Sequence, residues 1–243
     1  MPDGGGAIGR QRAPTSRSTA VTPAGRGNLG RELIIAEAVR FIDQSGLERL
    51  TMRRLGAELN VEAMALYRYV PGREQLLDEV VEYVMNELYE TTMTGELTGS
   101  WQEYLQQTAQ GVRTVATAHP RIFPMVASRP PAAPWLRPPL RSLRWVEGFL
   151  EALAGFGFSA QQSVLVYRAF ATFLLGHLLL ETATLPGEAE PAVEGDTAVA
   201  DPAALSDYPR LAALSAQLSK DAFQDEFDDA LHDLIKRVTD FHS

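Results

Sequence analysis

The chain has 243 residues, 45% hydrophobic and 22% charged, the balance of a soluble globular protein with one large or two smaller domains. It has no cysteine, which excludes disulfide staples and cysteine-based zinc sites and fits a reducing cytoplasm. The net charge of −9 argues against a nucleic-acid partner only until the chain is divided after Gln75: residues 1–75 carry 11 basic and 8 acidic side chains, residues 76–243 carry 11 and 23. A basic N-terminal part can then face phosphate while the acidic remainder stays away from it.

Residues 1–28 are rich in Gly, Pro, Ser, Thr and Arg and have no apolar period, so a disordered basic arm is expected. Arg10, Arg12, Arg17 and Arg26 can touch DNA flanking a site, or the arm can be a solvated tail. From Arg31 to Gln44 the apolar positions Leu33, Ile34, Ala38, Phe41 and Ile42 recur at helical spacing, and Ser45-Gly46 ends the helix.

The next stretch, LTMRRLGAELNVEAMALYRYVPGREQLL from Leu50 to Leu77, reads as two short helices and a tight turn. Thr51 stands at an N-cap, Leu55, Leu59 and Val61 face a partner helix, and Asn60 tolerates the left-handed backbone of a bend. The second helix is expected from about Glu62 to Val70. It opens on Ala63, Met64 and Ala65, continues into Tyr67, Arg68 and Tyr69, and turns Leu66 and Val70 inward. Pro71-Gly72 stops it, because proline disfavours helical geometry in the residue before it. This is a helix-turn-helix, whose second helix lies in the DNA major groove.

The same stretch, from Arg31 to Tyr89 without a gap, closely resembles the DNA-binding domain of the tetracycline-repressor (TetR) family. The resemblance implies that Arg53, Met64 and Ala65 face base edges, that Thr51, Tyr67, Tyr69 and Arg73 hold phosphates, and that Arg68 does either. It places a DNA-binding domain at 29–75 and an effector-binding and dimerisation domain at 76–243.

Beyond Pro71 the reading is helices only, giving an all-α fold. A long helix with Leu76, Leu77, Val80, Val81, Val84, Met85 and Leu88 on one stripe runs to about Thr92 and is followed by one from Trp101 to Ala118. His119-Pro120 breaks that helix, and a short IFPMVA segment and a proline-rich connector lead to a helix from about Leu140 to Ala154. Ser159 caps a helix to about Thr184 that is apolar on nearly every side and expected to be deeply buried. The most apolar segment, Val164 to Leu180, is interrupted by Arg168 and His177 and is short for a membrane span, so no membrane is expected and a cytoplasmic protein is. Residues 186–207 read as a flexible acidic loop. Leu211, Leu214 and Leu218 share a face, and Phe223, Phe227, Leu231, Leu234, Ile235 and Val238 form the stripe of a last helix.

Ser128-Arg129-Pro130, Gly157-Phe158-Ser159 and Phe173-x-Leu175-Gly176, with Glu181 beyond, resemble the ligand-binding domain of the tetracycline-repressor subgroup. The resemblance implies a homodimer through the helices starting near Ser159 and Asp221, although two apolar helices can also close a monomeric core. The subgroup's histidine for a magnesium-drug chelate is replaced by Met125 or Val126, so no metal or cofactor is expected and tetracycline is not the expected effector. A bulky, largely apolar effector is expected among Met85, Tyr104, Phe123, Met125, Trp135 and Trp145, with Phe149, Tyr167, Phe170, Phe173 and His177 around them. Tyr104, Tyr167 and His177 are the polar handles.

An enzyme is the competing class. His177 and Glu181 stand four apart on one helix, as an acid–base or metal-binding pair requires, but the four histidines lack metal spacing and no Gly-rich phosphate loop, Ser elbow or Cys nucleophile is present. The reading is therefore a ligand-responsive repressor that binds palindromic double-stranded operator DNA as a homodimer and is not an enzyme. The same fold acting as an activator or without an effector, a helical protein-binding adaptor, and an enzyme are the alternatives.

Overall fold

The computed structural model describes residues 29–94, 99–129, 133, 135–138, 142–185, 205 and 207–242. The expected N-terminal arm, and all of the expected acidic loop except Leu205 and Asp207, lie outside them. The described residues form helices and no strand.

Helix α1 (Arg31–Ser45) buries Ile34, Ala38, Phe41 and Ile42, a spacing of three and four that keeps them on one face. It stops at Gly46, whose φ of 84° suits a residue without Cβ and whose N–H returns to the Ile42 carbonyl at 2.8 Å. A 3-10 turn, Leu47–Arg49, then leads to α2 (Met52–Glu58). Thr51 caps α2 as expected, its hydroxyl accepting the Arg54 N–H at 3.2 Å.

Helix α3 (Ala63–Leu66) is shorter than the sequence pattern suggested. The chain tightens after Leu66, whose carbonyl accepts from both Tyr69 and Val70 at 2.9 and 3.0 Å, because Pro71 keeps Val70 out of continued helix. Helix α4 (Arg73–Met93) spans both halves of the molecule. Its Leu76, with Ile34, Ile42, Leu50, Leu55, Leu66 and Val70, closes the small core of α1–α3, whereas Met85 and Leu88 join the larger core behind it.

That larger core is built from α5 (Trp101–Ala118), α6 (Phe123–Ser128), α7 (Leu143–Gly155), α8 (Ala160–Thr184) and α10 (Phe223–His242). Helices α5 and α8 begin with reciprocal capping boxes, Ser100 with Glu103 and Ser159 with Gln162. Helix α8 packs on α5, α7 and α10, but it is not deeply buried all round. Its most apolar stretch has a mean hydropathy of 1.6 and is only 39% buried, because no described element covers the face bearing Leu165 and Leu180. By length and composition alone this one helix could cross a membrane, as the core helix of a soluble protein also can.

The last helix turns its apolar stripe inward. Phe227, Leu231, Leu234, Ile235 and Val238 are buried within the same chain, so this stripe closes the protein's own core. The short α9 (Pro209–Leu218) buries nothing, and Leu211, Leu214 and Leu218 are all exposed.

Candidate nucleic-acid interface and the cavity behind it

The hairpin owes its tightness to two residues. Asn60 takes φ 55°, the left-handed bend anticipated from its residue type, and the next N–H, of Val61, returns to the Gly56 carbonyl at 2.8 Å. A Cβ on Gly56 would stand 2.8 Å from the Val61 carbonyl oxygen and 3.2 Å from the Ala63 nitrogen. Both neighbours are backbone, so only glycine lets α3 approach α2 this closely.

This packing turns one polar-apolar surface outward. Thr51, Arg53, Tyr67 and Arg68 are exposed, and Met64 is 72% exposed although it is a large apolar side chain in the middle of a helix. Ala63, Ala65 and Tyr69 are half-buried, and Tyr69 packs against the core. Leu66 and Val70 face inward as expected. Arginine can donate two parallel bonds to guanine, and an apolar tip can meet a thymine methyl group, so Arg53 and Met64 present the chemistry of base readout.

Arg73 is placed differently from the others. Its Nε donates to the Leu50 carbonyl and its Nη2 to the Leu47 carbonyl, both at 3.1 Å, which ties the start of α4 to the turn before α2. Arg54 works the same way on a smaller scale, donating to the Arg49 carbonyl at 3.2 Å.

Behind the hairpin, between α4 and the rest of the bundle, lies an apolar cavity of about 30 Å³. Met85, Leu88, Val112, Phe123, Val126, Trp145, Ala171, Leu174 and Leu175 line it. Of the candidate effector residues it thus gathers Met85, Phe123 and Trp145. Trp145 is also bonded to α4, its Nε1–H donating to the Thr92 hydroxyl at 2.9 Å while that hydroxyl donates to the Leu88 carbonyl at 2.7 Å. Trp145, Phe149 and Phe170 form a continuous stack with centroids 5.3 and 5.2 Å apart, flanked by Tyr104 and Tyr167. Burial pushes both tyrosine hydroxyls up to about 12. The Tyr104 hydroxyl reaches the Met93 sulfur at 3.5 Å, and that of Tyr167 donates to the Pro138 carbonyl at 2.9 Å.

The remaining candidates lie elsewhere. Trp135 is 78% exposed on the proline-rich connector. Met125 faces away from the apolar cavity into a crevice of about 500 Å³ that also touches Gly46, Arg49 and Arg121. His177 and Phe173 pack on Phe227 between α8 and α10. The His177 Nε2 lies 3.2 Å from the Phe223 carbonyl, whereas Glu181 accepts Arg113 Nε at 2.9 Å, so the two residues four apart are used separately. Among the described residues no group of three or more His, Asp or Glu side chains is arranged to hold a metal ion.

Three long-range polar links, none read from the sequence, join α1 and α4 to each other and to the ends of α5 and α6. Arg129 reaches from the end of α6 to Glu74 at 3.0 Å and to Asp78 at the start of α4. Arg31 holds Glu79 with two bonds of 2.6 and 2.7 Å. His119, at the end of α5, lies between Asp43 on α1 and Glu87 on α4. The signal for these was only residue type, since the partners stand 51 or more, 48 and 32 or more positions apart.

Comparison with known proteins decides what this arrangement is. Residues 34–80 match the family described as bacterial regulatory proteins, tetR family, and residues 95–238 match the tetracyclin repressor-like C-terminal domain. The chain belongs to the TetR family. It is 36% identical over 101 residues to the HTH-type transcriptional repressor DrrR1 of Streptomyces coeruleorubidus, a match covering 42% of this chain and 37% of that protein. It is 28% identical over 151 residues to the tetracycline repressor protein class E of Escherichia coli, covering 62% and 68%. A possible TetR family transcriptional regulator from Streptomyces coelicolor A3(2) superposes with a TM-score of 0.65 at 27% identity, covering 86% and 98%. The chain therefore spans little more than a third of the first of these relatives and about two thirds of the second. Within this TetR-family framework Val126 is a wall of the apolar cavity and Met125 is not, so the two positions expected to replace the chelating histidine look into different spaces.

Proposed function

We propose that two copies of this chain form an effector-responsive transcriptional repressor that reads a palindromic operator through α3 and is released from it by a bulky, largely apolar small molecule, in the cytoplasm. The observation that carries the DNA-binding part is the hairpin surface, where Arg53, Met64 and Arg68 stand exposed on a fold held rigid by Gly56 and Asn60. Membership of the TetR family, with its DNA-binding and tetracyclin repressor-like parts both matched, supports the same reading.

Dimerisation is supported by α8, whose apolar side chains Leu165 and Leu180 are uncovered by the chain itself. A shallow groove beside them, between α8 and α10, is lined by Leu165, Phe173 and Leu234 together with the charged Arg168, Asp233 and Arg237. A two-fold pairing of this face has to set the recognition helices about 34–36 Å apart or a multiple of this, as successive major grooves require.

Release follows from the position of the apolar cavity. At about 30 Å³ it is far below the roughly 300–1,000 Å³ of a ligand pocket, so a bulky guest displaces its walls. Two of those walls, Met85 and Leu88, belong to α4, and a third, Trp145, is bonded to α4 through Thr92. Displacing them moves the helix whose first turn is tied by Arg73 and Arg129 to the hairpin and to α6. A guest that binds the spread arrangement better shifts the population away from DNA.

Selecting fragments from a random DNA pool with the purified chain tests the proposal. A two-fold symmetric consensus is the expected result, and failure to enrich any sequence would overturn it.

A further inference from the structure

His119 lies where α5, α1 and α4 meet. It ends α5, its Nδ1 is 2.7 Å from Asp43 Oδ2 on α1, and its Nε2 is 3.1 Å from Glu87 Oε2 on α4. Its own main chain is fixed too: its N–H donates to the Val115 carbonyl, and its carbonyl accepts from Ile122 and Phe123, which start α6. The ring therefore cannot follow one partner without straining against the others.

The chemistry of the site is set by the two acceptors. A neutral imidazole has one N–H and can donate to one carboxylate only; an imidazolium donates to both. With a carboxylate oxygen within hydrogen-bond distance of each ring nitrogen, the arrangement is that of the cation. Asp43 depends on it further, because its Oδ1 is buried with no hydrogen-bond partner among the described residues. Losing the positive charge beside it leaves a partly buried carboxylate uncompensated, which is costly.

From this geometry we infer that His119 is a positioning residue whose protonated ring clasps α1, on which the DNA-binding hairpin packs, to α4 and to the effector-binding bundle, so that operator affinity depends on the charge of that one side chain. The inference rests on the DNA-binding reading above. With the clasp closed, α1 is held at one angle to α5 and the recognition helices keep the spacing the operator requires. With it open, the hairpin samples other angles and the competent fraction falls, which weakens apparent affinity in proportion.

The charged groups facing the ring are Asp43 from α1 and Glu87 from α4. Arg121, two residues on, extends toward the end of α1, 4.0 Å from where a Cβ on Gly46 would stand. The two carboxylates raise the ring above the ordinary histidine value, the Asp43 hydrogen bond most and burial opposing it. A raised folded value gives the sign: the clasp contributes fully below about pH 6.5, the unfolded value, and is lost as pH rises through the higher folded value.

The test uses the full chain and a fragment it has selected from a random DNA pool, with affinity measured from pH 6 to 9 at constant salt. The His119 ring proton is followed by NMR in the free protein over the same range. Wild-type affinity is expected to fall as pH rises through the His119 midpoint, by at most about tenfold per pH unit, the limit for one linked proton. His119→Gln should bind more weakly at pH 6 and show no such slope, and His232→Gln, exposed on α10, should match wild type. Glu87→Gln keeps the histidine and the Asp43 bond, so it should lower the midpoint and move the affinity window with it. A pH-independent wild type, an unchanged slope in His119→Gln, or an unmoved midpoint in Glu87→Gln would each overturn the inference. A chain that selects no DNA at all would instead defeat the DNA-binding reading, while the NMR titration still reports on the clasp.

Discussion

Replacing Leu165 and Leu180 together by aspartate removes the uncovered apolar face of α8 while leaving the chain's own core untouched. Within one chain Leu165 is 50% exposed and Leu180 67% exposed, so pairing two copies has roughly half and two thirds of each side chain still to bury. Full burial of a leucine is worth about 1.5–3 kcal/mol, which makes these two worth roughly 1 and 1.5 kcal/mol per chain. Two-fold symmetry counts each residue twice, giving about 5 kcal/mol for the four side chains. At about 1.4 kcal/mol per factor of ten, the dimer constant should weaken by roughly 10³-fold or more, and the introduced charges add to this. Sedimentation velocity at micromolar concentration is the assay, with circular dichroism to confirm that helix content is kept. A soluble, folded double variant that still sediments as a dimer would refute the placement of the interface. Phe227 supplies the contrast: it is fully buried within its own chain against Phe173 and His177, so Phe227→Ala should lose about 3–5 kcal/mol of fold stability rather than change oligomeric state alone.

Three further outcomes are expected. Arg53→Ala should relax preference at one position of each half-site by about 1–3 kcal/mol in binding to a panel of single-substitution operators, whereas Arg73→Ala, which loses two bonds to main-chain carbonyls, should lower the melting temperature first; unchanged base preferences in the former or unchanged melting in the latter would reassign them. Gly56→Ala should destabilise the hairpin by about 1–3 kcal/mol in chemical denaturation, since its Cβ meets backbone at 2.8 Å, and a variant as stable as wild type would show that α3 can give way. Magnesium-tetracycline should neither bind tightly in calorimetric titration nor release selected DNA, and a submicromolar, metal-dependent signal would overturn the reading of Met125 and Val126.

The hairpin was legible because its determinants are local. Thr51, Asn60 and the apolar positions from Leu55 to Val70 act within a few residues, and the structure places them as their types suggest. The all-helical organisation was equally legible from periodicity. What the sequence could not show is which of two apolar surfaces meets its own chain. Periodicity marks α10's stripe and α8's outer face alike as apolar, and only the packing shows the first buried inside the monomer and the second left open. The same limit applies to polar residues. The sequence places Arg73 for phosphate but does not show its bonds to the Leu47 and Leu50 carbonyls, and His119 reads as a helix stop until two carboxylates arrive from 76 and 32 positions away. Aromatic content pointed to an effector region, but Trp135 on the surface shows that residue type alone does not assign a side chain to a cavity.

The small size of the apolar cavity also bears on how sensitively such a regulator responds. A guest has to open its own room, and the free energy of opening is subtracted from whatever contacts it then makes. Under the proposed function, the concentration that releases DNA is set jointly by the guest and by the stiffness of Leu88, Val112 and their neighbours. Trimming one of these walls should make the response threshold fall, and filling the space from Ala171 should make it rise, with no contact to the DNA altered. On that reading, the dose at which a gene is switched is stored in the compressibility of the protein interior.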